Sequence, residues 1–109
     1  MTNYRTGDLL LVMFPFAHGG RGKQRPAIVL LDDGDDDVLL ARVTTQDRHT
    51  RFDVTIADWQ GAGLLAPSVV RVHKLATIHK TLVKRRLGSL SERDRASVAS
   101  NLAQLWREW

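Results

Sequence analysis

Short apolar runs separated by turn-forming residues fill the chain from Asp8 to Ser89, and only beyond Ser91 does the spacing become helical. That order, strands first and one helix last, constrains the fold more than any other feature. Asp8 to Phe16 reads as a first strand, carried by Leu, Val and Phe. Ala17 to Gln24 contains Gly19, Gly20 and Gly22 and predicts a mobile, basic surface loop. Pro26 opens a second strand, Ala27 to Leu31, because a strand start tolerates its missing N–H. Asp32 to Asp37, around Gly34, predicts a hairpin turn into a third strand, Val38 to Thr45. Phe52, Val54 and Ile56 alternate with Asp53, Thr55 and Ala57, the mark of a half-buried fourth strand. Trp59 to Pro67 is a loop. Val69 to Val72, Ala76 to Leu82 and Lys84 to Ser89 predict three more short strands. Ser91 and Asp94 form a capping-box-like helix start. Val98, Leu102, Leu105, Trp106 and Trp109 then define one apolar face of a terminal helix. Strands joined by such short turns run largely antiparallel. The expected fold is mainly β with a C-terminal helix, a small barrel closed at one end by that helix.

The 109 residues make one domain, expected to span 1–109. With no cysteine, disulfides and thiolate metal sites are excluded, which suits the cytoplasm. No apolar run reaches the roughly 18 residues of a membrane span, and Met1 to Asp8 lacks the pattern of a signal peptide. The net charge is +4, but its distribution says more. Asp32, Asp33, Asp35, Asp36 and Asp37 crowd one turn, whereas Trp59 to Ser91 contains no Asp or Glu. That acid-free stretch holds Arg71, Lys74, Lys80, Lys84, Arg85 and Arg86. A basic half and an acidic turn point to a polyanionic partner on one side, with a merely solvated charged face as the alternative.

Strand periodicity places some of these residues together. Val70 and Val72 point one way, Arg71 and His73 the other. Arg42, Thr44 and Gln46 share a face if the third strand runs that far, and Arg25 sits where the glycine loop meets the second strand. Guanidinium groups, a hydroxyl and an imidazole suit a phosphodiester: Arg grips phosphate oxygens with two donors, and His moves protons near neutral pH. Singly, each has an ordinary structural explanation, such as β-propensity for the Thr44–Thr45 pair. His18, His49 and His79 show no metal-ligand spacing and read as solvent-facing; Trp59 reads as a packing anchor.

Taken in order, the motifs are more specific. GDLLLVMFPF at Gly7 to Phe16, the loop ending KQRPAIVL at Lys23 to Leu30, ARVTTQ at Ala41 to Gln46, SVVRVHKLATI at Ser68 to Ile78 and the KRRLGSLS stretch before the helix resemble the PemK/MazF toxin family over nearly the whole chain. The resemblance implies an SH3-like barrel, of the MazF, PemK and gyrase-inhibitor kind, usually a homodimer. It implies metal-independent, sequence-specific cleavage of single-stranded RNA, without a cofactor, and neutralisation by a partner antitoxin. In that chemistry the 2′-hydroxyl attacks the adjacent phosphorus and leaves a 2′,3′-cyclic phosphate and a 5′-hydroxyl.

Residue by residue, Arg25 matches the family's catalytic arginine, Thr44 its phosphate-contacting threonine, and Arg71 an arginine of some PemK-type members. Where many relatives carry Asp or Glu, this chain has His73, and Lys23 and Gln24 rather than a carboxylate precede Arg25. The expected catalytic set is therefore Arg25, Thr44 and His73. The base role of His73 stays open beside a base located elsewhere. Arg21, Lys23, Gln46, Arg71, Lys74, Lys80, Arg85 and Arg86 are the expected RNA-binding residues. The rival readings are a gyrase-inhibitor type of binding toxin, an RNA-binding protein without turnover, and a plain interaction module.

Overall fold

The computed structural model describes residues 2–15 and 22–109. Its strands are β1 (Asp8–Phe14), β2 (Lys23–Leu31), β3 (Asp37–Thr44), β4 (Asp53–Thr55), β5 (Val69–His79) and β6 (Val83–Ser89), followed by helix α1 (Glu92–Arg107). All six strands form one antiparallel sheet in the order β4-β5-β3-β2-β1-β6. Among the described residues no ladder joins β4 to β6. The sheet is open, and the expected closed barrel is not what the pairing shows.

Neighbouring residues of the central strands enter opposite cores. Leu9, Ile28, Ala41, Val43, Val70 and Val72 pack on one face of the sheet with Val98 of α1. Leu10, Val12, Phe14, Ala27, Val29, Val38, Leu40 and Ile78 pack on the other, covered by Tyr4, Leu82 and Val83. Burial on both faces explains why these strands read as nearly continuous apolar runs. Each large side chain so buried contributes about 1.5–3 kcal/mol. Register slips between Leu9 and Leu10, Leu11 and Val12, Val29 and Leu31, and Ala41 and Arg42 interrupt the ladders, as bulges that bend a strand do.

The strand boundaries differ most from the sequence expectation in two places. β2 begins at Lys23 because Phe14 pairs with it, so the predicted loop gives way to strand by Lys23; residues 16–21 of that loop lie outside the described residues. Val69 to His79 is one strand rather than two. Arg42 pairs with Arg71 but Ala41 with Leu75, so Val72, His73 and Lys74 bulge out of the ladder. A bulge interrupts alternation and imitates a break between strands.

The Ser91 hydroxyl accepts from the Asp94 N–H and caps α1, as the sequence predicts. Asp94 itself is buried and accepts the N–H groups of Ala57 (3.0 Å) and Asp58 (2.8 Å), docking the helix start onto the segment after β4. Val98 is buried and Leu102 and Leu105 are half-buried, but Trp106 and Trp109 are 66% and 97% exposed. The predicted apolar face therefore stops short. Its last turn meets Arg51, which pairs with Glu108, and neither indole finds an apolar surface. On the way into β5, Gly63 lies against β6: with φ at +90°, a Cβ there would overlap the Leu87 carbonyl, and one at Gly88 would overlap that of Ala62. Only glycine allows backbones to meet so closely.

Candidate functional site: a cationic groove where two strands part

β2 and β3 part company at the Ala27–Arg42 pair, the last rung of their ladder. Pro26, the next residue on β2, has no N–H to extend it. Beyond that rung Lys23 to Pro26 follow β1, while Val43 and Thr44 follow β5. The gap is an open groove of about 580 Å³. Gln24, Arg25 and Pro26 form one bank; Arg42 to Gln46 and Arg48 form the other, with Arg71 and Lys74 contributed by β5.

Five cationic side chains thus line one groove. The Arg42 guanidinium sits 5.5 Å over the Phe14 ring, capping the end of the second core. The Thr44 hydroxyl accepts the Gln46 N–H at 3.1 Å, which occupies a lone pair and leaves its own hydrogen to donate. Arg48 donates to the Gln46 side-chain oxygen at 2.6 Å, so the Gln46 amide group keeps its N–H₂ for a ligand. Such donors suit the oxygens of a phosphodiester, including the charge that develops on them during displacement at phosphorus.

Behind Arg71 stands a residue that the sequence did not single out. Asp53 of β4 pairs with Arg71 in the ladder, and its fully buried carboxylate accepts Arg71 Nε–H at 3.0 Å. The cluster therefore has a carboxylate behind it, but Asp53 is not among the groove's lining residues. Arg48 was missed as well. Its signal was only proximity in sequence to Thr44 and Gln46.

The structure brings Arg25, Thr44, Gln46 and Arg71 together, as the strand faces implied, and adds Lys74, which alternation had set on the face opposite Arg71. Lys23 is exposed two residues before Arg25 on the same strand. Arg21 lies outside the described residues. His73 is not brought to the groove: within the bulge Lys74 reaches it instead, and the His73 ring lies 5.9 Å from that of Phe52. Its Nδ1 is buried without a partner. Burial first, then Arg71 and Lys74, hold its pKa below the usual value, against a smaller opposing pull from Asp53. Lys80, expected on the RNA-binding surface, is instead buried, bonded to Asp32 at 2.9 Å and Asn3 at 3.1 Å. Arg85 and Arg86 are exposed on β6, away from the groove, and Arg86 pairs with Asp8 at 3.3 Å. Among the described residues no three His, Asp or Glu come together as a metal-binding group, and no helix is long and apolar enough to cross a membrane.

Solved structures share this architecture. The Mycobacterium tuberculosis toxin MazF-mt6 is 21% identical, with a TM-score of 0.76 over 92% of this chain and 96% of its own. An endoribonuclease from a mycobacterial species is 16% identical, with a TM-score of 0.77 over 95% and 91%. A MazE-MazF structure from Deinococcus radiodurans is 21% identical, with a TM-score of 0.75 over 97% of both chains. A search of curated protein sequences finds no match. The family model for the PemK-like, MazF-like toxins matches residues 5–106, the entire sheet and nearly all of α1, and the chain belongs to these toxins of type II toxin–antitoxin systems.

Proposed function

We infer that this protein is a metal-independent endoribonuclease that cuts single-stranded RNA in the groove between β2 and β3. The observation that carries the reading is the groove itself, where four arginines, a lysine and a threonine hydroxyl converge on a space open enough for an extended strand. Membership of the toxin family supports it, as does a solved mycobacterial relative described as an endoribonuclease. The reaction is attack by the 2′-hydroxyl on the adjacent phosphorus, giving a 2′,3′-cyclic phosphate and a 5′-hydroxyl. Arg25 stabilises the charge on the phosphorane and Thr44 donates a hydrogen bond to it. Arg42 and Arg71 hold flanking phosphate oxygens. His73 has the neutral form that a base requires, but its ring lies on Phe52. The guanidinium groups therefore carry the main catalytic load. The working form is a cytoplasmic homodimer with a lengthened basic surface. Its cognate antitoxin supplies an acidic segment that folds across that surface; a Deinococcus radiodurans relative is described as MazE-MazF.

Incubation with mixed-sequence single-stranded RNA in EDTA, followed by sequencing of the ends, tests the reading. It should give cyclic-phosphate and 5′-hydroxyl termini at a recurring sequence, and an all-deoxy strand should stay intact. Loss of cutting in EDTA with rescue by magnesium would refute it. Arg25→Ala should lower turnover by about 10²–10³ while RNA binding falls much less, and Thr44→Ala should be milder. Near-normal turnover in Arg25→Ala would remove that residue from the site.

A further inference from the structure

Crowding cations into one groove has a cost, because like charges drive flexible side chains apart. Among the described residues Arg71 alone of the groove's cations has a carboxylate partner. That partner is unusually well fixed. One Asp53 oxygen accepts Arg71 Nε–H at 3.0 Å; the other accepts both the Thr50 N–H at 2.9 Å and the Thr50 hydroxyl at 2.8 Å. The Asp53 N–H returns a bond to the Thr50 carbonyl at 3.1 Å, closing a turn. Burial alone would push the carboxyl pKa up, but the bonds from Arg71 and Thr50 outweigh it and hold it below the usual range. The carboxylate is charged at neutral pH, and its side chain is out of solvent.

We propose that Asp53 is a positioning residue for Arg71: locked by Thr50, it holds Nε and leaves both amino groups of the guanidinium free for a phosphate. The geometry separates holding from binding. A bidentate grip would have consumed an amino group as well as Nε. Asp53 thus supports Arg71 from behind without entering the groove. This inference rests on the reading of the groove as an RNA-cleaving site.

The test is a double-mutant cycle on the full chain with single-stranded RNA. Asp53→Asn should lower kcat/KM roughly 10- to 100-fold, the scale of a small misplacement of a reacting group. In an Arg71→Ala background the same change should cost nothing further, because the residue it positions is gone. Thr50→Val, which removes one bond and keeps the carboxylate, should give a smaller loss that also vanishes in that background. A second arm does not depend on turnover: the Arg71 Nε–H resonance in ¹H–¹⁵N spectra should exchange slowly in the wild type and quickly in Asp53→Asn. Equal losses with and without Arg71, or an Nε–H unchanged in Asp53→Asn, would overturn the proposal. A wild type that leaves RNA intact would sink the ribonuclease reading, while the spectroscopic arm still decides whether Asp53 holds Arg71.

Discussion

Lys80 and Arg71 come from the same acid-free stretch of sequence, and each ends against a buried carboxylate, yet their surroundings give them different uses. Around Lys80 everything is closed. Its side chain is 5% exposed, Asp32 is fully buried, and Asn3 takes a further bond from the ammonium group. Asp32 also accepts the N–H groups of Tyr4 and Gly34, so the pair knots the N-terminal segment, the β2–β3 turn and the end of β5. Around Arg71 one side is closed and the other opens on the groove. Arg93 marks the remaining extreme, exposed on α1 and spending both Nε and Nη2 on Asp58. Availability to a ligand follows from how many donors the partner takes and which sides are walled, not from charge.

The largest effect should come from Lys80→Met. Removing one member of a buried pair leaves the other uncompensated, at about 3 kcal/mol, so denaturant unfolding should show a clear loss while the folded protein cuts RNA at its usual rate. Weakened RNA binding with normal stability would return Lys80 to the surface and erase the contrast. Acid should expose the same corner. The Tyr4 N–H first, then Lys80, hold the Asp32 pKa down to about 2. Its stabilisation is complete above the unfolded value near 4 and is lost as pH falls toward about 2. In Asp32→Asn this part of the acid limb should be missing.

His73 should produce a gentler slope. Its folded pKa lies below the unfolded value of about 6.5, so the unfolded chain binds the proton more readily and stability falls as pH drops below that value. His73→Phe should flatten stability as pH falls below about 6.5 and change turnover by less than about tenfold, well below the usual span for losing a general base. A loss of about 10² or more would place the imidazole in the reaction after all. Arg93→Gln should matter least, because an exposed ion pair contributes little. A fall in melting temperature comparable to that of Lys80→Met would contradict the ranking.

Sequence patterning carried the succession of strands along the chain, the capped helix and the groove's main residues because these depend on local alternation and on short turns. Arg25, Thr44 and Arg71 were within reach because each shares a face with identifiable neighbours. Asp53 was not. Alternation set it opposite Phe52 and Val54, but only the β4–β5 register says that the opposite face there is Arg71 rather than water. Lys80 was misread for the same reason, since Asp32 reaches it from a different turn. The bulge at Val72 to Lys74 hid the length of β5 and let Lys74, not His73, line the groove. Trp106 and Trp109 fit a helical stripe, but a stripe does not reveal where the surface beneath it ends.

The contact of Gly63 with Leu87 and Gly88 brings the neighbourhood of one sheet edge against the other without a rung between β4 and β6. Neighbouring strands elsewhere are joined by a row of backbone hydrogen bonds, whereas here the edges are joined by packing and by the bonds of Asp94 and Arg93 to Ala57 and Asp58. A pull that draws β4 from β6 would therefore load side-chain bonds rather than a ladder. The segment fastened by the seam runs from β4, with Asp53, to β5, with Arg71. The contact that no ladder secures thus lies within the connection between Asp53 and Arg71, the pair whose register sets the back of the groove.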